Sequence, residues 1–210
     1  MLGLLLAPIR RVRDSIDSWR LRRRWDRLRS LGMHIGNSVN LPRDLWIDTS
    51  HCHLISIGDN CGFGPQCLIL AHDAQMDEYL DAARLGRVVI HESCHIGARS
   101  VILAGVEIGP RTIVGAGSVV SKSLPPNTVC VGSPAVPVAT LDEYLERHRR
   151  KIESSTKFDF QKYDQGVLTH ASREEMIAAL TKGTGYMIGG YSAELAGGGS
   201  TERTGPPPSR

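Results

Sequence analysis

The chain has 210 residues, enough for one or two domains, and a formal net charge of +3. A charge this small does not call for a nucleic-acid partner, and none is expected. Aromatics make up 5% of the chain while Gly numbers 22, a composition suited to narrow coils with no room for rings. No stretch is long and apolar enough to span a bilayer. Leu2–Ala7 is too short for a secretory signal, and its Arg cluster follows it instead of preceding it.

Residues 1–30 hold nine Arg against three Asp, a local excess of +6. Ile9, Val12, Ile16 and Trp19, then Leu21, Trp25 and Leu28, recur at helical spacing. The first segment, 1–31, therefore reads as a basic amphipathic helix. It either rests on an anionic membrane surface or packs on the chain's own coils and caps their open end.

Residues 32–139 carry a different period. Ile90, Ile96, Ile102, Ile108, Val114 and Val120 stand six apart, and Ile96, Ile108 and Val114 are each followed by Gly. The residue four after each anchor is small or medium: Cys94, Ser100, Val106, Thr112, Ser118, Leu124. A helix repeats its apolar stripe at 3 and 4, and a simple amphipathic strand alternates at 2. One aliphatic in six fits an all-β solenoid of triangular coils, 18 residues to the turn, with each anchor pointing inward. Ile57, Phe63 and Ile69 supply a coil upstream, and Ile35, Leu41 and Ile47 another. The interval from Ile47 to Ile57 breaks the count, which reads as a two-residue slip near His51–His53. The interval of 21 from Ile69 to Ile90 breaks it again. There, 73–87 (DAQMDEYLDAARLGR) reads as an excursion without strand signal.

After Pro125–Pro126 the repeat closes. Leu141, Tyr144, Leu145, His148 and Ile152 mark a charged helix in a C-terminal helical extension, 140–184, which can cover the other end of the coils. Ser172 and Glu175 suggest a capping box that opens a helix ending at Gly183. Residues 185–210 read as a low-complexity, disordered tail. The five Cys lack paired spacing and are expected as buried free thiols, which implies a reducing, cytoplasmic setting. His51-Cys52-His53 is a poor metal motif, because adjacent strand residues point to opposite faces.

From Ile57 to Ala139, about 80 of 210 residues, the chain resembles the hexapeptide-repeat acyltransferases. The segment VEIGPRTIVGAGSVVSKSLPPNTVCVGSPA is similar to the sugar O-acetyltransferase branch, to xenobiotic acetyltransferases and to polysaccharide O-acetyltransferases of surface-glycan biosynthesis. The resemblance implies a left-handed parallel β-helix and a homotrimer with active sites in the clefts between neighbours. It also implies acetyl-CoA as acyl donor, a sugar or glycan acceptor, and no metal. In that family a His before an extended loop is the general base, and the matching residue is His72 in ILAHDA. Its chemistry stands independently, since an imidazole can take a hydroxyl proton near neutral pH. The resemblance places pantetheine along Ala98 and Ala116, and the CoA phosphate end at Ser121 and Lys122.

Three departures bear on the site. His95 stands where many members have Trp, so it becomes a candidate acceptor contact. The Asn that usually lies one coil before the catalytic His aligns near Trp46–Asp48. Val136 replaces an Arg near the CoA phosphates, so that either Arg99, Arg111 or an external residue compensates or CoA binds more weakly. Asp77, Glu78 or Asp48 could orient the imidazole. The expected reaction is direct acetyl transfer to a sugar hydroxyl. The alternatives are a xenobiotic acetyltransferase, a zinc carbonic-anhydrase-like protein using His72, His91 and His95, and a catalytically degenerate scaffold. The expected location is cytoplasmic, with residues 1–30 as a peripheral contact at the inner face of the membrane.

Overall fold

The computed structural model describes residues 19–164 and 166–190. They belong to two compact units, divided between Val138 and Ala139.

In the first unit, residues 19–30 form a helix, α1. Trp25 and Leu28 are buried in the core, Leu21 packs against it, and Arg24 donates to the carbonyls of Arg43 (2.9 Å) and Leu45 (2.5 Å). The inner side of α1 is thus held by its own coils, while Trp19 and most of the Arg residues stay exposed. Residues 1–18 of the expected helix lie outside the described residues. Among the described residues no helix is long and apolar enough to cross a membrane.

The anchors then build three sheets in which the strands of successive coils pair in parallel. The first face holds β1 (His34–Ile35), β3 (Ile55–Ile57), β8 (Val88–Ile90) and β11 (Glu107–Ile108). The second holds β4 (Gly62–Phe63), β9 (His95–Ile96), β12 (Ile113–Val114), β14 (Thr128–Val131) and β15 (Val136–Thr140). The third holds β2 (Trp46–Ile47), β5 (Leu68–Ile69), β10 (Val101–Ile102) and β13 (Val119–Val120). Ile90 pairs with Ile108, Ile96 with Val114 and Ile102 with Val120, so stacked partners stand 18 residues apart and the chain visits the faces in turn. All six anchors are buried, at 0–2% exposure, which makes them the core of the coils.

Corner chemistry ties each coil to the next. Cys94 Sγ donates to the Gly109 carbonyl (3.0 Å), Ser100 Oγ to Gly115 (3.1 Å) and Thr112 Oγ1 to Pro125 (2.8 Å). These small residues are buried, and the carbonyl of the next coil satisfies each of them. Gly64 turns a corner where a Cβ would lie 2.5 Å from the Ala98 nitrogen, so stacking requires glycine there.

The two breaks in register fall on the same corner, where the chain passes from the third face to the first. Ile47 and Ile57 are successive anchors on those faces, ten residues apart instead of six. The insertion is therefore four residues, not a two-residue slip, and a 3-10 helix at Cys52–Leu54 takes up the extra length. One coil later the excursion leaves the same corner. It does contain strand: β6 (His72–Asp73) pairs antiparallel with β7 (Arg84–Leu85), with α2 (Asp77–Leu80) between them.

In the second unit α3 (Leu141–Ser154) opens with a capping box between Thr140 and Glu143. β16 (Thr156–Asp159) pairs parallel with β17 (Gly185–Ile188), beside α4 (Phe160–Tyr163) and α5 (His170–Ala179). Gly185–Ile188 thus form a strand where the sequence suggested tail; residues 191–210 lie outside the described residues. The capping box of α5 joins Thr169 to Ser172, not Ser172 to Glu175, and the helix stops at Ala179 instead of Gly183. Thr169 takes the extended backbone that an N-cap requires, which leaves Ser172 inside the first turn.

Candidate active site

The shared corner brings together side chains that are far apart in the chain. Asp48 follows β2 and is buried at 1% exposure; His72 opens the excursion one coil later. His72 Nδ1 lies 2.5 Å from Asp48 Oδ2. The same oxygen accepts from the Ala71 backbone N–H (3.2 Å), and Oδ1 accepts from Ser50 (3.1 Å) and His51 (3.3 Å). Burial on its own would raise the Asp48 pKa. The hydrogen bond with His72 and the backbone N–H groups outweigh it and hold the carboxyl below its usual value.

An ionised carboxylate can only accept, so the shared proton sits on His72 Nδ1, and in the neutral ring Nε2 is then the nitrogen with the lone pair. Buried Asp48 fixes both ring and tautomer, while about a third of the His72 side chain remains open to solvent. Asp48 is thereby selected from the three candidate carboxylates. Asp77 and Glu78 lie out on exposed α2, and Asp73 Oδ1 caps the Gln75 N–H (2.9 Å).

Because the folded pKa of Asp48 is depressed, its contribution to stability is complete above the ordinary carboxylate range, near pH ~4, and is lost as pH falls through the depressed value. Wild type should therefore exceed Asp48→Asn in stability at neutral pH, and the gap should narrow below pH ~4 in urea unfolding series. A gap that stays constant with pH would contradict this assignment.

Of the remaining candidates, Trp46 projects from the third face at 51% exposure. Ala98 and stacked Ala116 occupy the corner between the second and third faces, where the Gly117 N–H donates to the Ala98 carbonyl (2.8 Å). Ser121 and Lys122 are exposed just after β13, at the corner between the third and first faces. The third face is thus bordered by the two alanines on one edge and by His72, Ser121 and Lys122 on the other. His95 stands apart, exposed on the second face. Val136 is exposed in β15. Arg99 Nε binds Gln66 Oε1 (2.8 Å) beside Ala98, whereas Arg111 Nε binds Asn127 Oδ1 (3.0 Å) on the corner between the first and second faces.

His51 is the residue that sequence reasoning missed. Its ring lies 4.7 Å from that of His72, centroid to centroid, and its Nδ1 is 3.8 Å from Asp48 Oδ2. Alternation along a strand argued against a role, but the local backbone is the entry to a 3-10 helix, where alternation does not hold. The broken interval between Ile47 and Ile57 was the available signal.

Ligand-type atoms of Asp48, His51 and His72 lie within 4.8 Å of one another, the group of that kind found among the described residues. Tetrahedral zinc with bonds of about 2.0–2.1 Å separates its ligand atoms by roughly 3.3 Å, so the 2.5 Å contact between His72 and Asp48 is a proton-sharing dyad in this arrangement. Among the described residues His72, His91 and His95 form no such group; His91 Nε2 is instead paired with Glu107 Oε1 (2.6 Å). All five thiols are buried, which removes them as exposed acyl carriers.

Comparison with known proteins agrees with this architecture. Residues 87–122 match the bacterial transferase hexapeptide family (six repeats). YvoF of Bacillus subtilis (strain 168), provisionally named an acetyltransferase, is 33% identical over 123 residues, covering 59% of this chain and 69% of that protein. The galactoside O-acetyltransferase of Lactococcus lactis subsp. lactis (strain IL1403) is 34% identical over 139 residues, 64% of this chain and 58% of that one. A solved maltose O-acetyltransferase of Clostridium difficile 630 is 27% identical with a TM-score of 0.45, covering 57% of this chain and 75% of that one. The chain belongs to the hexapeptide-repeat acyltransferases.

Proposed function

We propose that this protein is an acetyl-CoA-dependent O-acetyltransferase acting on a hydroxyl of a sugar or glycan, with His72 as general base oriented by Asp48. The observation that carries the reading is the Asp48–His72 contact of 2.5 Å at the base of the excursion. His72 Nε2 takes the hydroxyl proton as that oxygen attacks the thioester carbonyl. The tetrahedral intermediate collapses with loss of the C–S bond, and the imidazolium returns the proton to the departing thiolate. Pantetheine would run along the third face past Ala98 and Ala116, with Ser121 and Lys122 at its phosphate end and Lys122 acting as a point charge. Arg99, next to Ala98, is better placed than Arg111 to take over from the missing Arg at position 136.

The coils would be a left-handed parallel β-helix, and three chains would assemble with a site in each cleft. Exposed Tyr79, Leu80 and Leu85 on the excursion suit contact with a neighbour. His95, on another face of the same chain, could then contact an acceptor only from the adjacent copy. Thiol release from acetyl-CoA across a panel of sugars and glycans tests the reading. At least one acceptor should raise release well above the acceptor-free rate; a flat panel would count against it.

The outer side of α1 supports a cytoplasmic protein resting on an anionic membrane. Trp19 is 51% exposed, Arg20, Arg22, Arg23 and Arg27 are exposed beside it, and Asp26 is already paired with Arg29. Full-length protein should sediment with phosphatidylglycerol vesicles at low salt and not with phosphatidylcholine vesicles. Reversing Arg20, Arg22 and Arg23 to Glu should abolish sedimentation, and its persistence would refute the contact.

A further inference from the structure

His51 has an unusual environment for a residue with no assigned part. Its Nδ1 is buried and finds no hydrogen-bond partner, and it stops 3.8 Å short of Asp48 Oδ2, which His72 already engages. The side chain is nevertheless 30% open to solvent, so solvent reaches it through atoms other than Nδ1. Beside it His72 is open to nearly the same extent, at 31%, and the two rings stand 4.7 Å apart with a 48° tilt. The corner therefore presents two imidazoles side by side over one buried carboxylate. Only the His72 ring is hydrogen-bonded to the carboxylate, and only one ring is needed as base.

Resting on the reading of His72 as base, we propose that His51 is the second half of an acceptor subsite for two adjacent hydroxyls. His72 takes the proton from one while His51 hydrogen-bonds the other. Adjacent hydroxyl oxygens of a pyranose lie about one hydrogen-bond length apart, ~2.7–3.2 Å. Such a pair can bridge ring edges at this spacing with one hydrogen bond to each. Neutral imidazole offers both a donor and an acceptor, so the bridge needs no charge. The second contact also fixes which hydroxyl faces His72, and orientation of this kind governs the rate of a direct transfer. The substrate class is accordingly a vicinal diol within a sugar ring, in preference to an isolated alcohol.

The test is a cycle between protein and substrate. Acetyl transfer from acetyl-CoA is measured for a methyl hexopyranoside and for its deoxy derivative lacking the hydroxyl next to the acetylated one. Each is assayed with wild type, with His51→Phe, which keeps a ring against His72, and with His51→Ala. Circular dichroism confirms that the variants fold. Wild type should lose about 10–100-fold in kcat/KM on deoxygenation, the range for leaving one hydrogen-bonding group unpaired. His51→Phe should lose a similar factor on the parent sugar, mostly through KM, and lose little more on the deoxy sugar. Indifference of wild type to the missing hydroxyl would overturn the inference. So would an equal penalty from His51→Phe on both sugars, which would make His51 a prop for His72. If wild type acetylates no pyranoside, the acyl-transfer reading itself fails and takes this inference with it. A His72→Ala control that matches wild type would have the same meaning.

Discussion

Asp48→Asn should slow acetyl transfer by about 10²–10⁴-fold while leaving the coils intact, the upper end being the cost of imposing the wrong imidazole tautomer in a serine hydrolase triad. Asp48 Oδ2 receives His72 Nδ1–H at 2.5 Å and the Ala71 N–H at 3.2 Å. An Asn of the same shape has a single acceptor oxygen for donors that Asp48 meets with two, His72 and Ala71 at Oδ2 and Ser50 and His51 at Oδ1. If its amide NH₂ faces His72, Nδ1 must become the acceptor and the proton moves to Nε2, which then has no lone pair for the substrate. If its oxygen faces His72, the ring is held, but no negative charge stabilises the imidazolium that forms during transfer. The loss should therefore appear in kcat, with KM for acetyl-CoA little changed, since Ala98, Ala116, Ser121 and Lys122 are untouched. Steady-state kinetics over a range of acetyl-CoA concentrations checks this. A loss confined to KM would mean that Asp48 serves binding instead.

Ile108→Ala should cost about 2–5 kcal/mol of unfolding free energy, a large fraction of the roughly 5–15 kcal/mol that holds a typical domain together. Ile108 is fully buried, pairs with Ile90 on β8 and is bridged to Leu124 in the following coil. Stacked coils cannot collapse sideways onto the vacancy without breaking register on all three faces, so most of the cavity should persist. Its neighbour Glu107 points outward, with its side chain 60% exposed and paired with His91. Glu107→Ala should cost no more than about 1 kcal/mol, as exposed ion pairs generally do. Urea unfolding of the two variants makes the comparison, and equal costs would contradict the inward register.

The contrast between these neighbours marks what the sequence made legible. An aliphatic every six residues can be buried in only one way once three sheets stack, so Ile90 to Val120 declared both their faces and their partners. The position of His72 at the base of the excursion was legible because it stands where the count fails. The choice of Asp48 over Asp77 or Glu78 was not, because 24 positions separate it from His72 and only the stacking of one corner on the next brings them together. His51 was hidden for a related reason. Its place beside His72 depends on an insertion that departs from strand geometry, and strand alternation was the rule used to read it. The interval from Ile47 to Ile57 recorded that departure but gave no direction for the side chains within it. The capping of α5 was misread more simply, since Ser172 satisfies the same motif whether it serves as N-cap or, as here, answers Thr169 from within the first turn.

The most direct test of the central claim, that His72 oriented by Asp48 is the base for direct acetyl transfer, is a single-turnover comparison of wild type and His72→Ala. Enzyme in excess over acetyl-CoA is mixed with an accepted sugar, and acetylated sugar and free thiol are quantified together. Wild type should form both at one common rate, and His72→Ala should form both about 10²–10⁴-fold more slowly, as expected on losing a general base. Equal rates in the two proteins, or thiol released well ahead of acetylated sugar, would contradict the account.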